Sequence, residues 1–156
     1  MTRAPIPLLL ALLLVPAAAG QEARRPEPWE RALADEPALV EAARDLEAAL
    51  AAGDARALGG LFRRGPLCLL IRSRGLPAGP VAHARARALL AEWLRARARS
   101  DFRVSVARLE PGGGFATLAC DLHRGQLARG RPLRERLVAG FVREGGRWRL
   151  AELCCP

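Results

Sequence analysis

From Asp101 to the end of the chain, apolar residues recur at every second position in four successive runs, each set off by turn or loop residues. "DFRVSVARLE" places Phe102, Val104 and Val106 on one face, "PGGG" turns, and "FATLACDLH" places Leu118, Cys120 and Leu122 on one face with Thr117, Asp121 and His123 on the other. After a polar loop rich in Gly and Arg, "RLVAGFVRE" is a third run; "GG" turns again, and "RWRLAELCC" sets Trp148, Leu150 and Cys154 opposite Arg147 and Arg149. A period of two is that of a pleated strand with one buried face. This part of the chain therefore predicts an antiparallel meander of four strands that needs a covering layer on its apolar side.

The preceding residues supply that cover. In "PALVEAARDLEAALAAGD", Leu39, Ala43, Leu46 and Leu50 recur at helical spacing, Glu41 and Glu47 fall on the other side, and Gly53 stops the helix. Asp54 caps a shorter helix, "ARALGGLF", whose apolar side is Leu58, Leu61 and Phe62. "LCLLI" (Leu67–Ile71) reads as a short buried strand between Pro66 and a loop containing Gly75, Pro77, Gly79 and Pro80. A third helix, Val81 to about Arg99, turns Ala82, Ala86, Leu89, Leu90 and Trp93 inward and Arg85, Glu92, Arg95 and Arg99 outward. The expected fold class is α+β, with N-terminal helices packed on a curved antiparallel β-sheet, in a single domain over residues 37–156.

Residues 1–19 read differently. Arg3 is a short basic start, Ile6 to Val15 is an apolar run, and Ala17-Ala18-Ala19 offers small residues at the cleavage positions of a signal peptide. The run is well short of the roughly 20 residues that cross a bilayer, so no transmembrane segment is expected. Export to the periplasm or the extracellular space is. Residues 20–36 form a charged, Pro-containing N-terminal arm, whose Trp29 either docks on the domain or stands in solvent.

Export gives the cysteines a meaning. Cys68, Cys120, Cys154 and Cys155 are an even set, open to three disulfide connectivities, and a staple through Cys154 or Cys155 would hold the chain end. Free buried thiols are the alternative. The spacings contain no Cys-x-x-Cys, and neither His83 nor His123 stands at a ligand-like interval, so no metal and no cofactor is expected.

The net charge of +9 invites a nucleic-acid reading. Yet all 25 basic residues are Arg, with no Lys, Asn or Tyr in the chain, which is the usage of a GC-rich genome rather than a sign of nucleic-acid specificity. The positive excess lies after Ala55. It suits attraction to anionic envelope polymers, for which Arg103, Arg147 and Arg149, alternating outward on strands, are the candidate cationic patch.

The helix pair "AALAAGDARALGGLF", the long helix closing in "LLAEWL" before "SDFRV", and the terminal "GGRWRLAEL" together resemble the nuclear-transport-factor-2-like (cystatin-like) cone fold. They are similar above all to its small exported bacterial branch of unknown function. The resemblance covers roughly residues 37–153 and implies a cone-shaped sheet whose interior, in active members, holds Asp, His, Tyr or Arg. Here Tyr is absent, and no Ser-His-Asp order, HExxH, P-loop or GxGxxG occurs.

Asp121 and His123, two apart on one strand, are the catalytic candidates, but they lie on the face opposite Leu118, Cys120 and Leu122; His83, in the first turn of its helix, suits a loop contact. The expectation is an exported, non-enzymatic binding or scaffold module that forms a homodimer through the sheet face. The alternatives are a small-molecule binder or isomerase- or dehydratase-like enzyme using the cone interior, and a binder of anionic envelope polymers.

Overall fold

A computed structural model describes residues 25–72, 75–96, 101–123 and 134–155 of the protein. The signal peptide expected over residues 1–19 and the end of the third helix near Arg99 lie outside the described residues.

Among the described residues, four helices and six strands follow one another: α1 (Pro28–Ala32), α2 (Pro37–Ala52), α3 (Ala55–Gly60), β1 (Leu67–Ile71), β2 (Leu76–Val81), α4 (His83–Arg95), β3 (Asp101–Leu109), β4 (Phe115–His123), β5 (Arg134–Glu144) and β6 (Arg147–Cys155). The sheet order is β2-β1-β6-β5-β4-β3. After the β1–β2 hairpin the chain crosses through α4 to the far edge, then meanders back through β3, β4 and β5 until β6 lands beside β1. All neighbours are antiparallel except that last pair, which is parallel, so the sheet is mixed and mostly antiparallel.

α2 begins with Pro37 in its first turn, where a missing N–H costs nothing, and ends where Gly53 takes the left-handed conformation at φ 66° and donates its N–H to the Ala49 and Leu50 carbonyls. Leu39, Ala43, Leu46 and Leu50 are all buried, as their spacing predicts. Asp54 caps α3 by accepting from the N–H groups of Arg56 at 2.8 Å and Ala57 at 2.9 Å. α4 buries Ala86, Leu90, Trp93 and Leu94; Ala82, expected on its inner side, is the exposed N-cap residue.

Residues 75–80, read as a loop, are most of strand β2. Pro77 and Pro80 hide it from sequence reasoning, because Pro breaks a ladder in a central strand. β2, however, is an edge strand paired only to β1, and an edge tolerates prolines that cannot donate. The described part of the arm carries a helix: α1 buries Trp29 and Leu33 in the core, which decides Trp29 in favour of docking. Glu30 is buried on the same helix and its carboxylate accepts from the Glu27 N–H at 2.8 Å and from Arg44 Nε at 2.9 Å, tying α1 to α2. A buried carboxylate with such donors avoids most of the cost of leaving water.

Two β-bulges change the faces of the outer and last strands. Val104 pairs with Cys120 but Val106 with Ala119, so Ser105 is unopposed, and its hydroxyl donates to the Ala119 carbonyl at 3.2 Å. On β6, Leu150 pairs with Phe141 and Glu152 with Gly140, leaving Ala151 unopposed. One extra residue inverts the phase of everything beyond it. Val106, expected beside Phe102 and Val104, is turned outward and 51% exposed. Cys154, expected beside Trp148 and Leu150, is likewise turned outward, and Cys155 takes the buried place.

Candidate functional site

The inner face of the sheet is filled. Phe102, Leu118, Leu122, Leu137 and Phe141 are buried in one cluster with Leu46 and Leu50 of α2. Cys120 belongs to the same face; burial first, then the nearby Glu47 and Asp121 charges, push its thiol up to about 12, so it stays protonated and unreactive at neutral pH. Among the described residues, the side chains that the middle of the meander turns inward are therefore apolar or neutral, while Glu135 and Arg143 share that phase at its two ends, across from Leu122 and Trp148.

The outer face carries a continuous apolar row. Val106 on β3 stands opposite Ala119 on β4, Ala119 opposite Val138 on β5, Val138 opposite Cys154 on β6, and Cys154 opposite Leu70 on β1. Four strand spacings of about 4.8 Å make the row about 19 Å long. Val138, at its centre, is 36% exposed, and Ala119, Cys154 and Leu70 are each partly exposed. Both Val106 and Cys154 reach this row because a bulge has turned them out.

The next row along the strands is Arg108, Thr117, Gly140, Glu152 and Cys68. Gly140 is required there: a Cβ would come within 2.9 Å of the Phe115 ring, which lies across it, and 3.1 Å of Glu152 Cβ. Phe115, Gly140, Val138 and Cys154 thus line an open groove of about 260 Å³.

The other flank of the apolar row is charged. Asp121 lies between Arg103 and Arg136 in the ladder and accepts from Arg136 Nε at 3.0 Å; Arg103 turns its own Nε to Asp101 at 3.1 Å. Asp121 is therefore on the outer face, as its phase predicts, and holds a guanidinium. The backbone of His123 ends the same strand, paired with Asp101 and Arg134.

The other candidates separate. Arg103 lies on the edge strand β3, and Arg147 and Arg149 lie at the start of β6, three strands away in order, so these arginines form no common patch. His83 is an internal tie: its Nε2 makes a 2.8 Å hydrogen bond with the Gly65 carbonyl and its ring stands edge-on to Phe62 at 5.3 Å. No disulfide joins any two of the four cysteines among the described residues. The expected staple does not form, and the strand faces explain it: Cys120 and Cys155 are inside with β5 between their strands, and Cys68 and Cys154 are outside, two positions out of step across the β1–β6 ladder.

Alternation did not reveal Ala119, Val138 and Leu70 as a surface. The usable signal is adjacent apolar pairs, Leu69-Leu70, Leu118-Ala119 and Leu137-Val138, which put apolar groups on both faces of a strand at once.

Solved structures share this architecture. A protein of the nuclear-transport-factor-2-like family from Streptomyces avermitilis superposes with a TM-score of 0.54 at 16% identity, over 78% of this chain and 94% of that one. A DUF4783 family protein from Bacteroides fragilis gives 0.54 at 15% identity, over 70% and 92%. An uncharacterized cystatin-fold protein from Novosphingobium aromaticivorans gives 0.51 at 19% identity, over 73% and 93%. No protein-family model matches the chain, and no curated protein matches it. The chain has the nuclear-transport-factor-2-like, cystatin-like fold, as its sequence resemblance implies.

Proposed function

We propose that the protein is an exported, non-enzymatic binding module that self-associates through the outer face of its sheet. The observation that carries this reading is the apolar row from Val106 to Leu70, which crosses five strands without a charged residue. Contiguous exposed apolar surface on a folded domain marks a site of association.

A second copy is the occupant the row suits, because it is self-complementary. If a two-fold axis runs along the strands between two facing sheets, strand order reverses: Val138 meets Val138, Ala119 meets Cys154, and Val106 meets Leu70. The neighbouring row then sets Glu152 of one copy against Thr117 of its mate, beside Arg108, which joins opposite charges at the rim. Such an interface is isologous, the commonest kind in small oligomers. Export rests on the pattern of residues 1–19, and an intact mass beginning at Gly20 in secreted material is its test.

Sedimentation velocity at about 10–100 µM protein tests the association. The wild type is expected as a dimer and Val138→Arg as a monomer with an unchanged far-ultraviolet spectrum. A wild type that sediments as a monomer throughout that range removes the reading.

A further inference from the structure

A second surface lies on the helix side, away from the apolar row. β1 pairs with β6 only from Glu152 onward, so the first residues of β6 have no strand on that flank beyond the single Phe62–Leu150 bridge. There, between α2 and β6, is an open cleft of about 430 Å³. That is within the range of about 300–1,000 Å³ usual for small-molecule sites.

Its two walls carry opposite charges that do not cancel. Glu41 and Asp45, four residues apart and so on one face of α2, line one wall. Arg147 and Arg149 line the other. Among the described residues neither carboxylate has an ion-pair partner and neither does Arg147, although Arg149 donates from Nη1 to the Gly60 carbonyl at 3.0 Å.

Trp148 lies between the two arginines and lines the same cleft with Ala42 and Leu61. It is 4% exposed, and its Nε1 is a buried side-chain polar atom with no hydrogen-bond partner. A buried N–H without an acceptor costs about 1–3 kcal/mol. The Arg143 guanidinium lies 5.7 Å from the ring centroid and is paired with Glu36 at 3.4 Å. Two carboxylates without ion-pair partners on one wall call for a cation, and the unpaired Arg147 on the other calls for an acceptor bearing negative charge.

We infer that this cleft binds a small zwitterion, an ammonium and a carboxylate joined by a short chain. The ammonium sits against Glu41 and Asp45, and the carboxylate against Arg147 and Arg149. The site is independent of the sheet-face association, since none of its residues belongs to the apolar row.

Calorimetric titration with 4-aminobutyrate and 6-aminohexanoate tests it, with hexylamine and hexanoate at equal ionic strength as single-charge controls. One of the two zwitterions is expected to bind with a Kd of about 1 mM or tighter and each control at least about tenfold more weakly. Asp45→Asn and Arg147→Gln, both at exposed positions, are each expected to weaken that binding about tenfold while leaving the unfolding midpoint in place. No binding of either zwitterion at about 10 mM, binding of a control as tight as theirs, or titrations unchanged in both variants would each overturn the assignment. Sedimentation of the same variants keeps the outcome separate from that of the sheet-face proposal.

Discussion

The two faces of one sheet, built from the same strands and often from adjacent residues, have opposite fates. Leu137 is fully buried and Val138 is 36% exposed; Cys120 is fully buried while Asp121 beside it holds Arg136 at the surface. Hydrophobicity alone therefore does not say which residues fold the protein and which are left for a partner. The phase of each strand does, and in this chain two unopposed residues set that phase.

Removing a large inner side chain should give the largest effect. Phe141→Ala empties a fully buried ring position, and urea unfolding is expected to show a loss of about 3–5 kcal/mol. The mirror change on the outer face, Val138→Ala, should stay within about 1 kcal/mol for the monomer. Equal losses at the two positions would erase the distinction between the faces.

Alkali offers a smaller but more selective contrast. Cys120 is protonated when folded, with its thiol raised from 9.0 to about 12, so between those values the unfolded chain releases a proton that the folded chain keeps. The folded state then binds more protons, and stability falls as pH rises above about 9. Between pH 7 and pH 10 this one group should remove about 1.4 kcal/mol. The chain has no Lys and no Tyr, and the comparison with a variant lacking Cys120 separates this thiol from the other three. Urea midpoints at both pH values, compared between wild type and Cys120→Ala, should show the slope diminished in the variant. An identical slope in the two proteins would mean that the inner face admits water.

Least affected should be the exposed pair. Asp121→Ala breaks the ion pair with Arg136, whose guanidinium is 59% exposed, and is expected to cost no more than about 1 kcal/mol, less in high salt. A larger, salt-independent loss would place Asp121 in the protein's interior energetics after all.

Much of this was legible beforehand. The caps at Asp54 and Gly53, the buried sides of α2 and β4, and the meander itself all rest on local rules that tertiary context does not override here. Three things were not. β2 hid behind prolines that only an edge position permits, and α1 behind a charged composition whose one buried carboxylate is neutralised by Arg44 from another helix. The faces of Val106 and Cys154 depend on bulges at Ser105 and Ala151, which leave no mark in a strand's own alternation because they exist only relative to the neighbouring strand. The candidate surface was legible as a face but not as a row.

Those two bulges also bear on how the gene can change length. A codon lost at position 105 or 151 would close the ladder there while leaving every cross-strand pair on either side as it is: Val104 with Cys120, Val106 with Ala119, Leu150 with Phe141 and Glu152 with Gly140. In most strands such a deletion turns half the side chains over. Here it would only straighten a bend, so alignments of related chains should carry single-residue gaps inside these two strands, where gaps are otherwise least expected.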